Sequence, residues 1–266
     1  MENQTQNPLL SKIKLPGRTF QLPSRGALYK NGELTDSTDG EIHVHALSAL
    51  TEIQLKNPDM LFNGKALEEV CRECIPQIKK PTQLYGRDID AIMFYLRLVT
   101  YGPEFEIKVK HDCKEAKDHS YVVNIEQMAV NMKQLDPTVA EEEFKVTLPE
   151  GEVVRVHPLK FDHMIKLFQM NADKKEFTVD DIKANVIFNL VNLIESVQLG
   201  ETVVTNKKHI EEWVKTLTTP VQNKITSAIE KTNHWGPEQS VKISCKDCGE
   251  EMNVELPLNP ISFFTE

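Results

Sequence analysis

Apolar residues alternate with polar ones in EIHVHAL (residues 41–47), in VVRVHPL (153–159), on either side of the polar turn KEAKD (114–118) and around CKDCGEE (245–251). This pattern predicts two strands and two β-hairpins. Apolar spacings of three and four predict helices over SALTEIQLKN (48–57), KALEEVCRECI (65–75), GRDIDAIMFYLRLVTYG (86–102) and FDHMIKLFQM (161–170), and then over DDIKANVIFNLVNLIESV (180–197), NKKHIEEWVKTL (206–217) and TPVQNKITSAIEKTN (219–233). Asn57-Pro58 is placed to stop the first of these. Asp88 is placed to cap the third and Gly102-Pro103 to end it. In LPGRTFQLPSRGALYKNGEL (15–34), Pro16-Gly17, Pro23-Ser24, Gly26 and Asn31-Gly32 punctuate the chain, so this stretch is expected to be more loop than element, with a tight turn at Asn31-Gly32.

The order of these elements repeats. GEIHVHALSALTEIQL (40–55) and GEVVRVHPLKFDHMIKL (151–167) both run from Gly-Glu through a strand with histidine into a helix, and VKHDCK (109–114) matches VKISCK (241–246) in register. The expected fold is therefore α+β and helix-rich, with two pseudo-repeated halves each built of a strand, helices and a hairpin bearing cysteine. The expected divisions are a flexible N-terminal arm at 1–16, a first half at 17–130, an acidic connector at 131–150 and a second half at 151–266.

With 266 residues the chain can bury a sizeable core without help from a metal. Forty acidic against 31 basic residues give a net charge of -9, which disfavours nucleic acid and anionic membrane as partners. No apolar run is long enough to span a bilayer, and the N-terminal residues lack the pattern of a signal peptide, so a reducing cytoplasm is the expected setting. Five cysteines there point to thiols or thiolate ligands rather than a disulfide framework.

Cys245 and Cys248, followed by Gly249, have the spacing of half a structural zinc site, because a Cys-x-x-Cys turn holds two thiolates on one side of a metal. The matched hairpin offers Cys113, His119 and His111. The expected site is a zinc ribbon of Cys113, His119, Cys245 and Cys248, with His111, which shares the strand face of Cys113, as the alternate to His119. Cys71 and Cys74 fall on one apolar helix face with Leu67, Val70 and Ile78 and are expected to be core. His43 and His45 are expected to be packed or solvated, His157 and His163 to be a strand end and a helix face, and Asp88 and Asp90 to be helix-start charges. No phosphate loop, nucleophile elbow or zincin helix is present, so no catalytic residue is assigned.

The train LPGRTFQLPSRGALYKNGEL, GEIHVHALSALTEI, NPDMLFNGKALEEVCRECI, RDIDAIMFYLRLVTYGPEFEI and KHDCKEAKDHSYVVNI, over residues 15–125, resembles the baseplate hub assembly proteins of T-even contractile-tailed bacteriophages. The resemblance implies a late, non-enzymatic viral protein that assembles or forms the central hub of the tail baseplate. Its partners would be other hub proteins. Its location would be the host cytoplasm, and the virion baseplate if it stays as a subunit. The zinc reading is not inherited from the resemblance and rests on spacing alone. Within the train, Arg18, Phe20, Leu22, Arg25 and Tyr29 combine bidentate charge with apolar anchors and are the expected partner-binding residues. They are equally able to tie the segment to its own domain. The competing class is a cytoplasmic thiol- or zinc-dependent redox or small-molecule enzyme that uses the cysteines.

Overall fold

The computed structural model describes residues 16–113, 118–172, 174, 176–256, 258, 263 and 264. The N-terminal arm expected at 1–16 therefore lies outside the described residues, apart from Pro16. In chain order the elements are β1 (Gly17–Gln21), β2 (Glu41–His45), α1 (Ala49–Leu55), α2 (Pro58–Phe62), α3 (Lys65–Cys74), α4 (Gly86–Tyr101), β3 (Glu104–Lys110), β4 (Asp118–Asn124), α5 (Ile125–Val130) and α6 (Pro137–Glu143). They continue as β5 (Lys145–Thr147), β6 (Val153–Val156), α7 (Phe161–Asn171), α8 (Val179–Leu193), β7 (Ile194–Leu199), β8 (Thr202–Val204), α9 (Lys207–Val214), α10 (Thr219–Lys231), β9 (Ser240–Ser244) and β10 (Glu251–Glu255). The strands form three antiparallel pairs, β1-β2, β3-β4 and β9-β10, and one antiparallel sheet in the order β5-β6-β7-β8. The class is α+β, as the sequence pattern predicts.

The first core is built around α4, which is apolar on every side from Ala91 to Leu98 except for Arg97 and is accordingly buried on every side there. Against it pack β2 through Ile42 and Val44, α3 through Leu67, Val70, Cys71 and Cys74, and the β3-β4 hairpin through Phe105, Ile107 and Val123. Leu256, Phe263 and Phe264, from the far end of the chain, belong to the same core. The second core is separate and comprises Val154 and Val156 of β6, Leu190 and Val191 of α8, Ile194 and Val197 of β7, and Ile210, Val214 and Ile225 from the last two helices. The two cores thus do not follow the two sequence halves. The second is an insertion that leaves the first at Lys133 and returns at Gly236, where the two residues exchange backbone hydrogen bonds of 3.2 and 2.8 Å. Gly236 has φ +92°, and a Cβ there would lie 3.1 Å from the Arg87 side chain, so the return point needs glycine. A small third cluster of Tyr85, Leu135, Ala140, Phe144 and Trp235 seals this junction.

Several elements differ from the sequence reading. Residues 17–21 form β1, paired with β2 from Gly17 opposite His45 to Gln21 opposite Glu41. Asn31-Gly32 is a bend inside the long β1–β2 connection and not a hairpin turn. Asn57 ends one helix and also starts the next, accepting the N–H groups of Asp59 and Met60 with its side chain while Pro58 sits at the first helical position. The expected acidic connector contains α6, capped by Asp136, and β5. The apolar stretch at 194–197 is strand rather than helix. Val156 faces Ile194, Arg155 faces Ser196 and Val154 faces Val197, so Glu195 is an extra residue in the ladder. That bulge turns Ile194 and Val197, three positions apart, to the same buried side, which imitates a helical period.

The segment before β2 is tied to α4. The Phe20 ring stacks on Tyr95 with centroids 4.3 Å apart, and Tyr95 Oη donates to the Gln21 carbonyl at 2.7 Å. Asp88 is not a helix cap, since Tyr85 occupies that position. Instead its buried carboxylate accepts the Ser24 N–H at 3.0 Å and the Tyr29 hydroxyl at 2.6 Å. Burial pushes the Asp88 carboxyl up to about 6 from an ordinary value of 3.8, against the hydrogen bonds from Ser24 and Tyr29, which lower it. The folded protein therefore holds this proton where the unfolded chain has lost it. The resulting stability is full at low pH and is lost as pH rises from about 4 to 6, by roughly 2–3 kcal/mol. Asparagine does not titrate, so the destabilisation caused by Asp88→Asn should shrink by that amount between pH 4 and pH 7 in urea unfolding. A penalty that is the same at both pH values would show that the buried carboxyl has an ordinary pKa.

Candidate metal centre

The two cysteine-bearing hairpins meet tip to tip. In the β3-β4 ladder the last pair is Lys110 opposite Asp118, and His111 and Cys113 lie just beyond it, where the Cys113 N–H donates to the His111 carbonyl at 3.0 Å. In the β9-β10 ladder the last pair is Ser244 opposite Glu251, and Cys245 and Cys248 lie beyond that. The Cys245 N–H donates to the Glu250 carbonyl at 2.8 Å, and the Gly249 N–H donates back to the Cys245 carbonyl at 2.9 Å. This tight knuckle brings Gly249 to φ +77°, which glycine adopts without strain.

His111, Cys113, Cys245 and Cys248 present one ligand atom each, all within 4.8 Å of one another. His111 Nδ1 is 3.4 Å from Cys248 Sγ, while its Nε2 faces the Glu250 carboxylate at 3.7 Å. A tetrahedral zinc with bonds of about 2.3 Å to sulfur and 2.0 Å to nitrogen needs ligand separations of roughly 3.5–3.8 Å, so small side-chain shifts close this set on one ion. The pairing of the second imidazole nitrogen with a carboxylate is the usual support for a histidine ligand. Among the four, Cys245 is buried and Cys248 exposed. The backbone N–H groups of Cys248 and Asp247 hold the Cys245 thiol below its ordinary pKa. Cys248 is shifted the other way: the Glu250 N–H lowers it, but partial loss of solvent at the hairpin tip and the neighbouring Cys245 and Cys113 sulfurs outweigh that and raise it. Sulfurs this close suppress one another's ionisation, and a divalent cation removes that conflict.

Cys113, Cys245 and Cys248 thus come together as the sequence reading expects, and the fourth place is taken by the alternate, His111. His119 sits one pair inside the ladder, opposite Val109, and its Nε2 pairs with Asp247 at 2.7 Å. It buttresses the site instead of entering it. Lys246 adds to this support, its N–H donating to Tyr121 Oη at 3.1 Å and its Nζ to the Ser120 carbonyl at 2.5 Å. Asp247 and Lys246 as supporting residues carry no sequence signal beyond their place inside Cys-x-x-Cys.

The remaining candidates are dispersed. Leu22 is wholly buried, so it is a core residue, and Phe20 and Tyr29 are held on α4 as described. Arg25 pairs bidentately with Asp39 at 2.6 Å and Arg18 with Glu126 at 2.5 Å, each keeping about half of its side chain in water (45 and 51%). Cys71 and Cys74 lie in the first core, and burial raises both thiols, Cys74 to about 12. His157 and His163 are held below the ordinary histidine value by burial, His163 to about 4. The sequence reading missed an apolar face on the insertion, where Phe168 of α7, Phe177, and Val179 and Ile182 of α8 are all more than half exposed. The signal was present in their spacing on α8, where Val179, Ile182 and Val186 form a stripe.

No described helix is long and apolar enough to cross a membrane. A family model described as T4 bacteriophage base plate protein matches residues 44–265. No curated protein and no solved structure matches the chain.

The thiols should separate by reactivity. In native protein treated with chelator, iodoacetamide should label Cys248 first and leave Cys71 and Cys74 unmodified until denaturant is added. Peptide mapping by mass spectrometry checks this, and early labelling of Cys71 or Cys74 would show that the first core opens more readily than its packing implies.

Proposed function

The chain belongs to the T4 bacteriophage base plate protein family, and from that membership we propose that it works by protein–protein contact, assembling or forming part of the central hub of the tail baseplate. The observation that carries the contact role is the apolar surface of α7, α8 and the loop between them, because a domain rarely leaves four large apolar side chains more than half exposed in one such segment without a use for them. Three ion pairs border it, Lys166 with Asp162, Lys174 with Asp181 and Lys183 with Asp180, so the rim is charged but internally balanced. Such a surface suits an apolar partner better than a charged one. Other hub proteins are the proposed partners. Arg18 and Arg25, both half exposed, stay in the reading as contact residues in the N-terminal segment.

In this reading the His111, Cys113, Cys245 and Cys248 set holds one structural zinc. Four protein donors leave no open position for water or substrate, which favours a cross-link over catalysis and gives the thiol-enzyme alternative no support. The protein is read as non-enzymatic, working in the host cytoplasm during assembly and staying in the virion baseplate if it is a hub subunit.

Co-expression with the other baseplate proteins of the phage tests the contact role. Ile182→Asp together with Phe168→Asp should reduce recovery of the complex at least tenfold while circular dichroism of the free protein is unchanged. Undiminished recovery would remove the apolar face from the reading.

Metal analysis tests the second element. Protein purified without a histidine tag or chelator should carry one equivalent of zinc. Cys248→Ser and His111→Ala should each lose it, with lower thermal stability, and His119→Ala should retain it. A protein isolated without zinc, or one in which His119→Ala rather than His111→Ala releases it, would overturn the assignment.

A further inference from the structure

We infer that the cleft between β4 and β9 accepts an extended segment of another baseplate protein as an added strand, joining the two hairpins into one five-stranded sheet. The cleft has a volume of about 370 Å³ and is lined on one side by Val122, Val123 and Asn124 of β4 and on the other by Ser240 to Ile243 of β9. Neither strand has a ladder partner across it among the described residues, since β4 pairs with β3 and β9 with β10.

The direction of the main-chain groups follows from the ladders. The Ile125 N–H donates to the Pro103 carbonyl at 2.9 Å, so odd-numbered residues of β4 turn their N–H and C=O toward β3 and even-numbered ones turn theirs away. The Ser120 carbonyl confirms this, because it reaches Lys246 Nζ on the other hairpin. On β9 the Cys245 N–H donates to the Glu250 carbonyl and the Gln239 carbonyl accepts from the Leu256 N–H, so Ser240, Lys242 and Ser244 turn their groups away from β10. Val122 on one wall and Ser240 and Lys242 on the other therefore offer main-chain donors and acceptors into one space. Those are the groups that an extended chain satisfies, and that a helix, whose own main chain is already paired, does not.

The cleft has fixed ends. At the tips the cysteine and histidine cluster and the Lys246–Ser120 contact join the hairpins, and at the base Lys133 and Gly236 are paired. From Ser120 to Asn124 this leaves a bay about five residues long, roughly 16 Å at 3.3 Å per residue. Its floor is apolar, with Val123 buried and Met128 and Val241 packed on the first core. Its rim is polar, with Asn124, Gln127, Asn131 and Lys242. The occupant is accordingly a segment with alternating apolar and polar side chains, apolar ones inward. Val122, 66% exposed on the wall, gains cover from it. That the segment comes from another baseplate protein rests on the proposed hub role, whereas the pairing geometry does not.

The probe is a set of overlapping twelve-residue synthetic peptides covering the other baseplate proteins of the phage, measured by fluorescence anisotropy against the zinc-loaded full chain. At least one alternating peptide should bind. N-methylation of either set of alternate amides in it should weaken binding at least tenfold, because a strand between two edges uses both sets. Val122→Pro removes a donor that faces the cleft and leaves the β3 ladder intact, and it should cause a similar loss with zinc content unchanged. Lys242→Pro is the equivalent change on the other wall. Binding that survives N-methylation or both proline variants would overturn the inference. So would the absence of any binding peptide while the full-length partners still co-purify with the chain, a result that leaves the hub role standing. Loss of co-purification as well would remove both.

Discussion

Closure of the first core depends on the far end of the chain. Phe263 lies edge-on to Phe94 at 5.5 Å and to Phe105 at 5.1 Å, and Phe264 packs against Phe263. The buried guanidinium of Arg97 sits over Phe105, Tyr101 and Phe263 and donates to the Phe263 carbonyl. A buried arginine is costly unless its donors and its flat faces are used, and here three aromatic rings cover the faces and a main-chain oxygen takes an Nη1 donor, while Nε has no hydrogen-bond partner among the described residues. The arrangement exists only when residues beyond 250 have returned to α4. That return also carries the second hairpin back beside the first, which is how cysteines more than a hundred positions apart reach one point.

Why the return is accurate follows from the pairing at its start. Arg87 Nε donates to the Trp235 carbonyl and its Nη2 to the Pro237 carbonyl, both at 2.7 Å, while its Nη1 pairs with Asp90 at 3.1 Å. Gln239 Nε2 reaches the same Asp90 carboxylate at 2.8 Å. One side chain on the first turn of α4 thus fixes the segment that leads into β9. The insertion is held on its other side by the Gly86 N–H donating to the Leu159 carbonyl at 2.8 Å and the Phe161 N–H donating to the Leu84 carbonyl at 2.9 Å. These anchors are polar and directional, so they set orientation, while the two apolar cores supply most of the stability.

The helices with a strong period and the two hairpins were legible in the sequence because their apolar residues are spaced onto one face or, for α4, onto all of them. What was not legible depends on partners distant in the chain. GRTFQ has too little alternation to declare a strand and becomes one because β2 offers an edge and Tyr95 a surface for Phe20. At 194–197 the bulge at Glu195 reproduces a helical spacing within a strand. The Cys113, Cys245 and Cys248 triad was legible through the matched hairpins. The choice between His111 and His119 was decided by where the ladder stops: Cys245 and Cys248 lie beyond the last β9-β10 pair, and by the same match the first hairpin's ligands lie beyond Lys110, which selects His111. The apolar face of α7 and α8 was read only as a helix pattern, because periodicity tells which residues share a face and not whether anything covers it.

The position of the cluster has a thermodynamic consequence. A cross-link between residues 113 and 245 nominally closes a loop of more than a hundred residues, for which restricting the unfolded chain is worth the most. In the folded protein most of that loop is an insertion with its own core and with entry and exit already joined at Lys133 and Gly236. Once the insertion has folded, the loop left to close is short, and the contribution of a metal held by the proposed set would fall mainly on the two hairpins. It would fix the distance between their facing edges, while helices and aromatic core hold the rest. Stability of the whole and geometry of the cleft are thereby controlled by different groups, so a ligand change at the tips alters the edges without dissolving the cores behind them.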